Sequence, residues 1–390
     1  MPMPICAIFM ATICNCLISI NYRHMSDNLN SSLSPTAKTP RMGWLDALRG
    51  FTMILVVSNH VALKSFGMQI RWSAVLQFFL LFRMPLFFFI SGFLAYKASR
   101  IWNAQTLREL SLKKMRVQLI PTIVFFLLFL AIIPTTPFEA SLAEALASSM
   151  KAGYWFTLVL LYMLLTYYFF SYAESKLPFK SCIPVVLLFI VSLGFFETCY
   201  LPRYFSWALG YKGPQNEFLN YTSLVEMMRY FPFFLFGNIV HRYWQQAQRL
   251  MDSKWFLPVV TLLAVVCTIE VLKWHTLRLA WASLPHTLAM FLLLSMVFMF
   301  FRYYHDFFEQ TRFGSVLQFI GRRTLDIYLL HYFFLPKLPM VGEFFKVNRS
   351  NFILETTASF ALAFLVIGFC IVTSQLLRVS PFLKKYLFGR

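Results

Sequence analysis

The sequence predicts an all-α fold: a polytopic membrane protein with about ten transmembrane helices around a polar central cavity. Three observations predict it. Hydrophobic residues make up 59% of the 390 and charged residues only 13%, about half the charged share of a soluble globule. Apolar runs of about 17 residues or more recur along the whole chain, long enough to cross a bilayer. Ionisable side chains recur inside those runs, where they are expensive unless they face a polar space.

The first element is set apart from the rest. Residues 3–20 are apolar, and residues 21–43 are polar and rich in Ser, Asn and Pro. The start has no basic n-region and no small-residue cleavage site, which argues against a signal peptide. Residues 1–43 are therefore either a further span with a disordered linker or a dispensable extension. The domain that carries chemistry is expected over 44–390.

Ten spans follow, near 44–63, 74–97, 116–134, 154–173, 182–201, 225–243, 256–274, 282–301, 314–336 and 355–377. The second holds Pro85 and Gly92, which predict a break or kink. The segments on one side carry 22 Lys and Arg, and those on the other carry 10. Three more, Arg49, Arg83 and Arg229, lie within spans. Lys and Arg favour cytoplasmic loops, so residues 21–43 and the C-terminus are expected in the cytoplasm of a multi-pass cell-membrane protein. The same bias accounts for the net charge of +19 without a nucleic-acid partner. No internal repeat supports an inverted-repeat transporter. Cys6, Cys14, Cys16, Cys182, Cys199, Cys267 and Cys370 have no metal-ligand spacing. They read as small apolar residues, with no disulfide framework and no metal site.

Candidate chemistry starts at Arg49 and His60, eleven residues apart in the first span. At about 100° per residue, eleven residues make three turns plus roughly 20°, so both share one helix face. They stand on the order of 16 Å apart along the axis. Asp46, three residues before Arg49, is close enough to pair with it. The plain alternative is an interfacial ion pair and a packed imidazole. Arg83 stands next to Met84-Pro85 inside an apolar run and needs an anion, a carbonyl or a cavity. Ser91-Gly92 removes bulk and admits a helix or a ligand. Lys113, Lys114 and Arg116 precede span three, either as a topology signal or as partners for phosphates.

Five segments together resemble the acyltransferase-3 family of integral membrane O-acyltransferases. Asp46-x-x-Arg49-Gly50 followed by His60 is similar to its Arg-x10-His motif. Met84-Pro85-Leu86-Phe87-Phe88-Phe89-Ile90-Ser91-Gly92-Phe93-Leu94 is similar to its Phe-Phe-x-x-Ser-Gly-Phe segment. Lys113-Lys114-Met115-Arg116 resembles its basic entry to span three, with lysine for the first arginine. Tyr154-Trp155-Phe156 resembles its Trp-Phe pair. Gly321-Arg322-Arg323-Thr324-Leu325-Asp326-Ile327-Tyr328-Leu329-Leu330-His331 is similar to its late segment, with Thr324 for serine. The likeness covers about 44–390.

The resemblance implies transfer of an acyl group, often acetyl, from cytoplasmic acyl-CoA to a hydroxyl of a cell-envelope glycan or lipid-linked sugar. Arg49, Lys113, Lys114 and Arg116 would then meet the CoA phosphates, with Ser91 also at the donor. His60 would act as base or acyl carrier, and Arg83 would steady the oxyanion. The implied partners are acyl-CoA, a glycan or lipid-linked sugar, and membrane lipids. A multi-span exporter or carrier of a sugar or small anion is the reading from another class. A scaffold without chemistry leaves Arg49, His60 and Arg83 without a reason.

Other polar groups stay open between packing and cavity. Glu226 and Arg229 open span six one turn apart. His286, Asp326 and His331 lie in spans eight and nine. The segment 200–224 holds Tyr200, Tyr204, Phe205, Trp207, Tyr211, Phe218 and Tyr221 and reads as an external loop, more as an interfacial aromatic belt than as a sugar platform.

Overall fold

The computed structural model describes residues 42–70, 73–133, 136–178, 181–209, 216–273, 283–347 and 351–380, with Leu383 and Leu387. The N-terminal segment 1–41 lies outside them. The described chain is all-helical.

Helix α1 (Gly43–His60) runs on into a π-helical turn, Val61–Ser65. Helix α2 spans Ala74–Ala95, and α3 spans Ala104–Ile132 with a π-turn at Met115–Leu119. Then come α4 (Phe138–Ala147), a tight turn at Lys151–Gly153, α5 (Trp155–Glu174), α6 (Ile183–Leu209), α7 (Glu217–Tyr221) and α8 (Leu224–Arg242). The rest are α9 (Trp244–Met251), α10 (Phe256–Lys273), α11 (Ser283–Tyr303), α12 (His305–Gln310), α13 (Arg312–Arg322), α14 (Thr324–Leu330), α15 (Pro339–Val347) and α16 (Phe352–Leu377).

Among the described residues, five helices are long and apolar enough to cross a membrane: α2, α3, α5, α11 and α16. The pair α9 and α10, bent by 81°, makes a sixth if counted as one span. The expectation of about ten spans is therefore met by this criterion for half that number.

Several boundaries differ from the sequence reading. Helix α2 is continuous through Pro85, because one proline removes only one donor from a ladder held on both sides by packing. Helix α3 starts at Ala104, where the Asn103 side chain accepts from the Thr106 amide at 2.7 Å, so the basic residues 113–116 are helical. Helix α6 continues to Leu209, into a stretch read as loop. Span nine is three short pieces, α13, α14 and a 3-10 turn at His331–Phe334. Arg322 and Arg323 interrupt its apolar pattern, and Arg323 leaves helical geometry at φ −114°, ψ 17°.

Two glycine pairs set the centre. A Cβ on Gly92 would lie 1.8 Å from the Phe234 carbonyl oxygen, and one on Gly237 would lie 1.9 Å from that of Phe89. Helices α2 and α8 thus cross with backbones touching, the close approach that small residues permit in membranes. Gly50 and Gly321 do the same for α1 and α13, at 2.0 Å from Leu317 O and 1.8 Å from Asp46 O. Helix α2 is the most enclosed of the five membrane-length helices, with 72% of its most apolar window inside against 28% for α3 and α16. The exposed Leu365, Phe369, Val372 and Leu376 of α16 present an apolar face suited to lipid.

Candidate functional site

His60, Arg83, His331 and Tyr332 gather where α1 ends. His60 is the last residue of α1 and is half-buried. The Tyr332 hydroxyl lies 3.2 Å from its Nε2 and 3.5 Å from its Nδ1. The His331 ring stands 5.1 Å from the His60 ring, centroid to centroid, and 4.0 Å from Tyr332. Arg83, from α2, is within electrostatic reach of His60, Tyr230 and Tyr332. It is 9% exposed, and its Nε and Nη1 are buried without a hydrogen-bond partner among the described residues. A buried guanidinium with unmatched donors costs several kcal/mol unless something supplies oxygen, on the order given for charged groups.

A strained turn holds Tyr332. Lys151, Ala152 and Gly153 all have positive φ, at 47°, 51° and 105°. Such runs are rare and persist only where the surroundings enforce them. Lys151 supplies part of the enforcement. It is buried, and its ammonium donates to the carbonyls of Leu146 and Ser148 at 2.7 Å and of Asn220 at 3.0 Å. Burial pushes that ammonium below the usual lysine range. Gly153 carries no Cβ because one would sit 2.2 Å from the Tyr332 hydroxyl. Its carbonyl accepts from Tyr328 Oη at 2.8 Å, while Tyr328 Oη accepts from the Phe156 amide at 3.1 Å. Tyr154 Oη donates to Leu329 O at 2.9 Å. Tyr154-Trp155-Phe156 and the late segment are therefore stitched together, and between them they orient Tyr332 and His331.

At the other end of α1, Arg49 donates to Thr324 Oγ1 at 3.0 Å and lies 3.8 Å from Asp46 Oδ1. Lys114 is half-buried and within electrostatic reach of Arg49, Lys113, Arg100 and Lys97. Lys113 and Arg116 are exposed. Cations from α1, from the α2–α3 connection and from α3 thus converge near the start of the stripe. The spacing argument placed Arg49 and His60 on one face, and each end of that face meets its own polar cluster.

The other candidates separate. Ser91 donates to Phe87 O at 2.9 Å within its own helix, and Gly92 beside it admits a helix. Asp326 is a structural partner: Arg378 Nη2 lies 2.8 and 2.7 Å from its two oxygens, and Ser374 Oγ donates to it at 2.7 Å. Glu226 is fully buried, accepts from Arg229 at 3.0 Å and from Ser149 at 2.9 Å, and its Oε2 has no partner among the described residues. Tyr230, one turn on, stacks on Trp155 and Phe88 at 5.5 and 5.1 Å. His286 and its neighbour Thr287 are buried in α11, where Thr287 donates to Glu197 at 2.8 Å. Phe218 and Tyr221 are exposed, and the side chains of 200–215 lie outside the described residues. A small pocket lined by Phe89, Phe236, Val240, Phe298 and Met299 is apolar but for Ser295. Among the described residues, no three His, Cys, Asp or Glu side chains come together as a metal set.

Tyr332, Gly153, Lys97 and Arg100 were missed by sequence reasoning. Tyr332 is one of 18 tyrosines, and its only local signal is adjacency to His331 where an apolar run turns irregular.

A cationic cluster and an imidazole cluster thus lie at the two ends of α1. The model of a family described as an acyltransferase domain matches residues 42–374, most of the chain, and the protein belongs to the acyltransferase-3 family. Neither the curated proteins nor the solved structures include a match to it.

Proposed function

We propose that this protein is a multi-pass membrane O-acyltransferase that moves an acyl group, acetyl, from cytoplasmic acyl-CoA to a hydroxyl of a cell-envelope glycan or lipid-linked sugar. The observation that carries the reading is the pairing of Arg83, with two buried unmatched donors, and His60, with Tyr332 on its ring. Unmatched donors suit an oxyanion, and the imidazole suits a proton. The domain is assigned to 44–390, with residues 1–43 dispensable.

The mechanism follows from the two clusters. Arg49, Lys113, Lys114 and Arg116, with Lys97 and Arg100, receive the CoA phosphates at the cytoplasmic mouth. Ser91 lies along the donor path. The pantetheine arm runs along the Arg49–His60 face, a rise on the order of 16 Å, and brings the thioester to Arg83. His60 takes the proton of the attacking hydroxyl, and the charge that develops on the carbonyl oxygen falls on the Arg83 donors. The carbon–sulfur bond breaks, and the leaving sulfur takes that proton from His60.

The orientation assigned is cytoplasmic for residues 21–43 and the C-terminus, on the Lys and Arg bias. The test is a comparison of envelope glycans, by mass spectrometry, from a deletion strain and its parent. The reading expects loss of one acetyl mass per repeat in the deletion strain. Identical glycans together with altered export of a sugar would favour the carrier instead.

A further inference from the structure

His331 is not used by the mechanism above, yet it is the most enclosed titratable ring of the site, at 0% exposure. Its Nδ1 lies 2.8 Å from Tyr328 O and 3.2 Å from Ile327 O. A carbonyl oxygen only accepts, so Nδ1 carries the proton, and in the neutral ring Nε2 holds the lone pair. That Nε2 is buried and has no hydrogen-bond partner among the described residues. A buried acceptor left unmatched is costly, and such groups ask for a ligand. His60 meets a related condition. One hydroxyl, that of Tyr332, faces both of its nitrogens; with that oxygen accepting from the ring N–H, the other nitrogen keeps its lone pair. The site therefore offers two imidazole nitrogens on rings 5.1 Å apart, beside the unmatched donors of Arg83. A thioester carbonyl matches Arg83. An acceptor with one isolated hydroxyl matches one imidazole and leaves the other unfilled.

We propose that the acceptor binds through two adjacent hydroxyls, and that His331 is the specificity-determining residue that holds the one that does not react. This rests on the acyl-transfer reading above and narrows its substrate class to acceptors with a free vicinal diol. The reacting hydroxyl gives its proton to His60, and its oxygen forms the new bond to the acyl carbon. The carbon–sulfur bond breaks, its electron pair leaves on the CoA sulfur, and the sulfur takes the proton from His60. The neighbouring hydroxyl donates to His331 Nε2 throughout and emerges unchanged. The phenol of Tyr332, 4.0 Å from the His331 ring and 5.0 Å from the His60 ring by centroid, keeps the two rings apart and in register.

The test uses envelope glycan from strains carrying the wild-type protein, His331→Phe, His331→Gln or none. Acyl positions are read by two-dimensional NMR. Membranes from each strain are also assayed with acetyl-CoA and the de-acylated glycan. The wild type should place the acyl group on a hydroxyl whose neighbour is free. His331→Phe keeps an aromatic ring but loses the acceptor. It should lose about 10- to 100-fold in kcat/KM, mostly through KM, and scatter the acyl group over other positions. His331→Gln, whose amide oxygen accepts, should hold the wild-type position. An acyl group on a hydroxyl without a free neighbour overturns the proposal, even if the phenylalanine variant fails to insert. So does a phenylalanine variant with wild-type KM and position. Glycan that is identical with and without the protein removes the acyl-transfer reading itself, and this proposal with it.

Discussion

Replacing Gly153 with alanine should silence the site while leaving the helices in the membrane. Gly153 sits at φ 105°, where an alanine costs about 1–3 kcal/mol of strain. Its new Cβ would stand 2.2 Å from the Tyr332 hydroxyl oxygen and 2.3 Å from Cζ. Restoring an ordinary contact of 3.4 Å moves that ring by more than 1 Å, on the spacing just given. Its hydroxyl is 3.2 Å from His60 Nε2, so a shift of that size takes it out of hydrogen-bond range. A misplacement of about 1 Å can cost on the order of 10²-fold in rate. The strain itself is local and small beside the packing of the helices around it. The assay is acyl groups per glycan repeat, normalised to membrane-inserted protein. A Gly153→Ala protein that inserts normally and acylates at the wild-type rate would refute the idea that the left-handed turn exists to seat Tyr332.

Three further outcomes are expected. Gly321→Ala puts a Cβ 1.8 Å from Asp46 O and should lower thermal stability in detergent by about 1–3 kcal/mol through overpacking; an unchanged midpoint would mean that α1 and α13 do not cross as described. Arg49→Ala should weaken acyl-CoA use more than Arg49→Lys, since lysine keeps the charge but not the planar fork, and equal CoA dependence in the alanine variant and the wild type would remove Arg49 from the donor site. Cysteines introduced at positions 105 and 215 should label from the cytoplasm and from outside respectively, and the reverse pattern would invert the topology drawn from the charge bias.

Much of the helical frame was legible because span length and apolar content are local properties. The Arg49–His60 face was legible for the same reason, since helical period alone puts eleven residues in line. Span nine was not. Its hydropathy reads as one run, but Gly321 is there to touch the α1 backbone and Arg323 ends the helix, and neither fact is local. Asp326 stood open between ion pair and cavity until α16 brought Arg378 to within 2.7 Å, 52 positions along the chain. Tyr332 was hidden by the abundance of aromatic rings, and only the turn at 151–153 distinguishes it. Lys97 and Arg100 belong, in the sequence, to the cationic side of the charge bias. Their convergence on Lys114 depends on how the α2–α3 connection packs, and no spacing in the sequence encodes that.

The central claim is that His60 moves a proton during acyl transfer, and His60→Gln tests it most directly. Glutamine keeps comparable volume and can still hydrogen-bond to Tyr332, so insertion and packing should survive. It cannot take and return a proton, and the loss of a general base costs roughly 10²–10⁴-fold. The measurement is glycan acylation per molecule of inserted protein. The account predicts a fall of that order, with insertion unchanged. Wild-type acylation by the glutamine variant would make His60 a packed imidazole and contradict the mechanism.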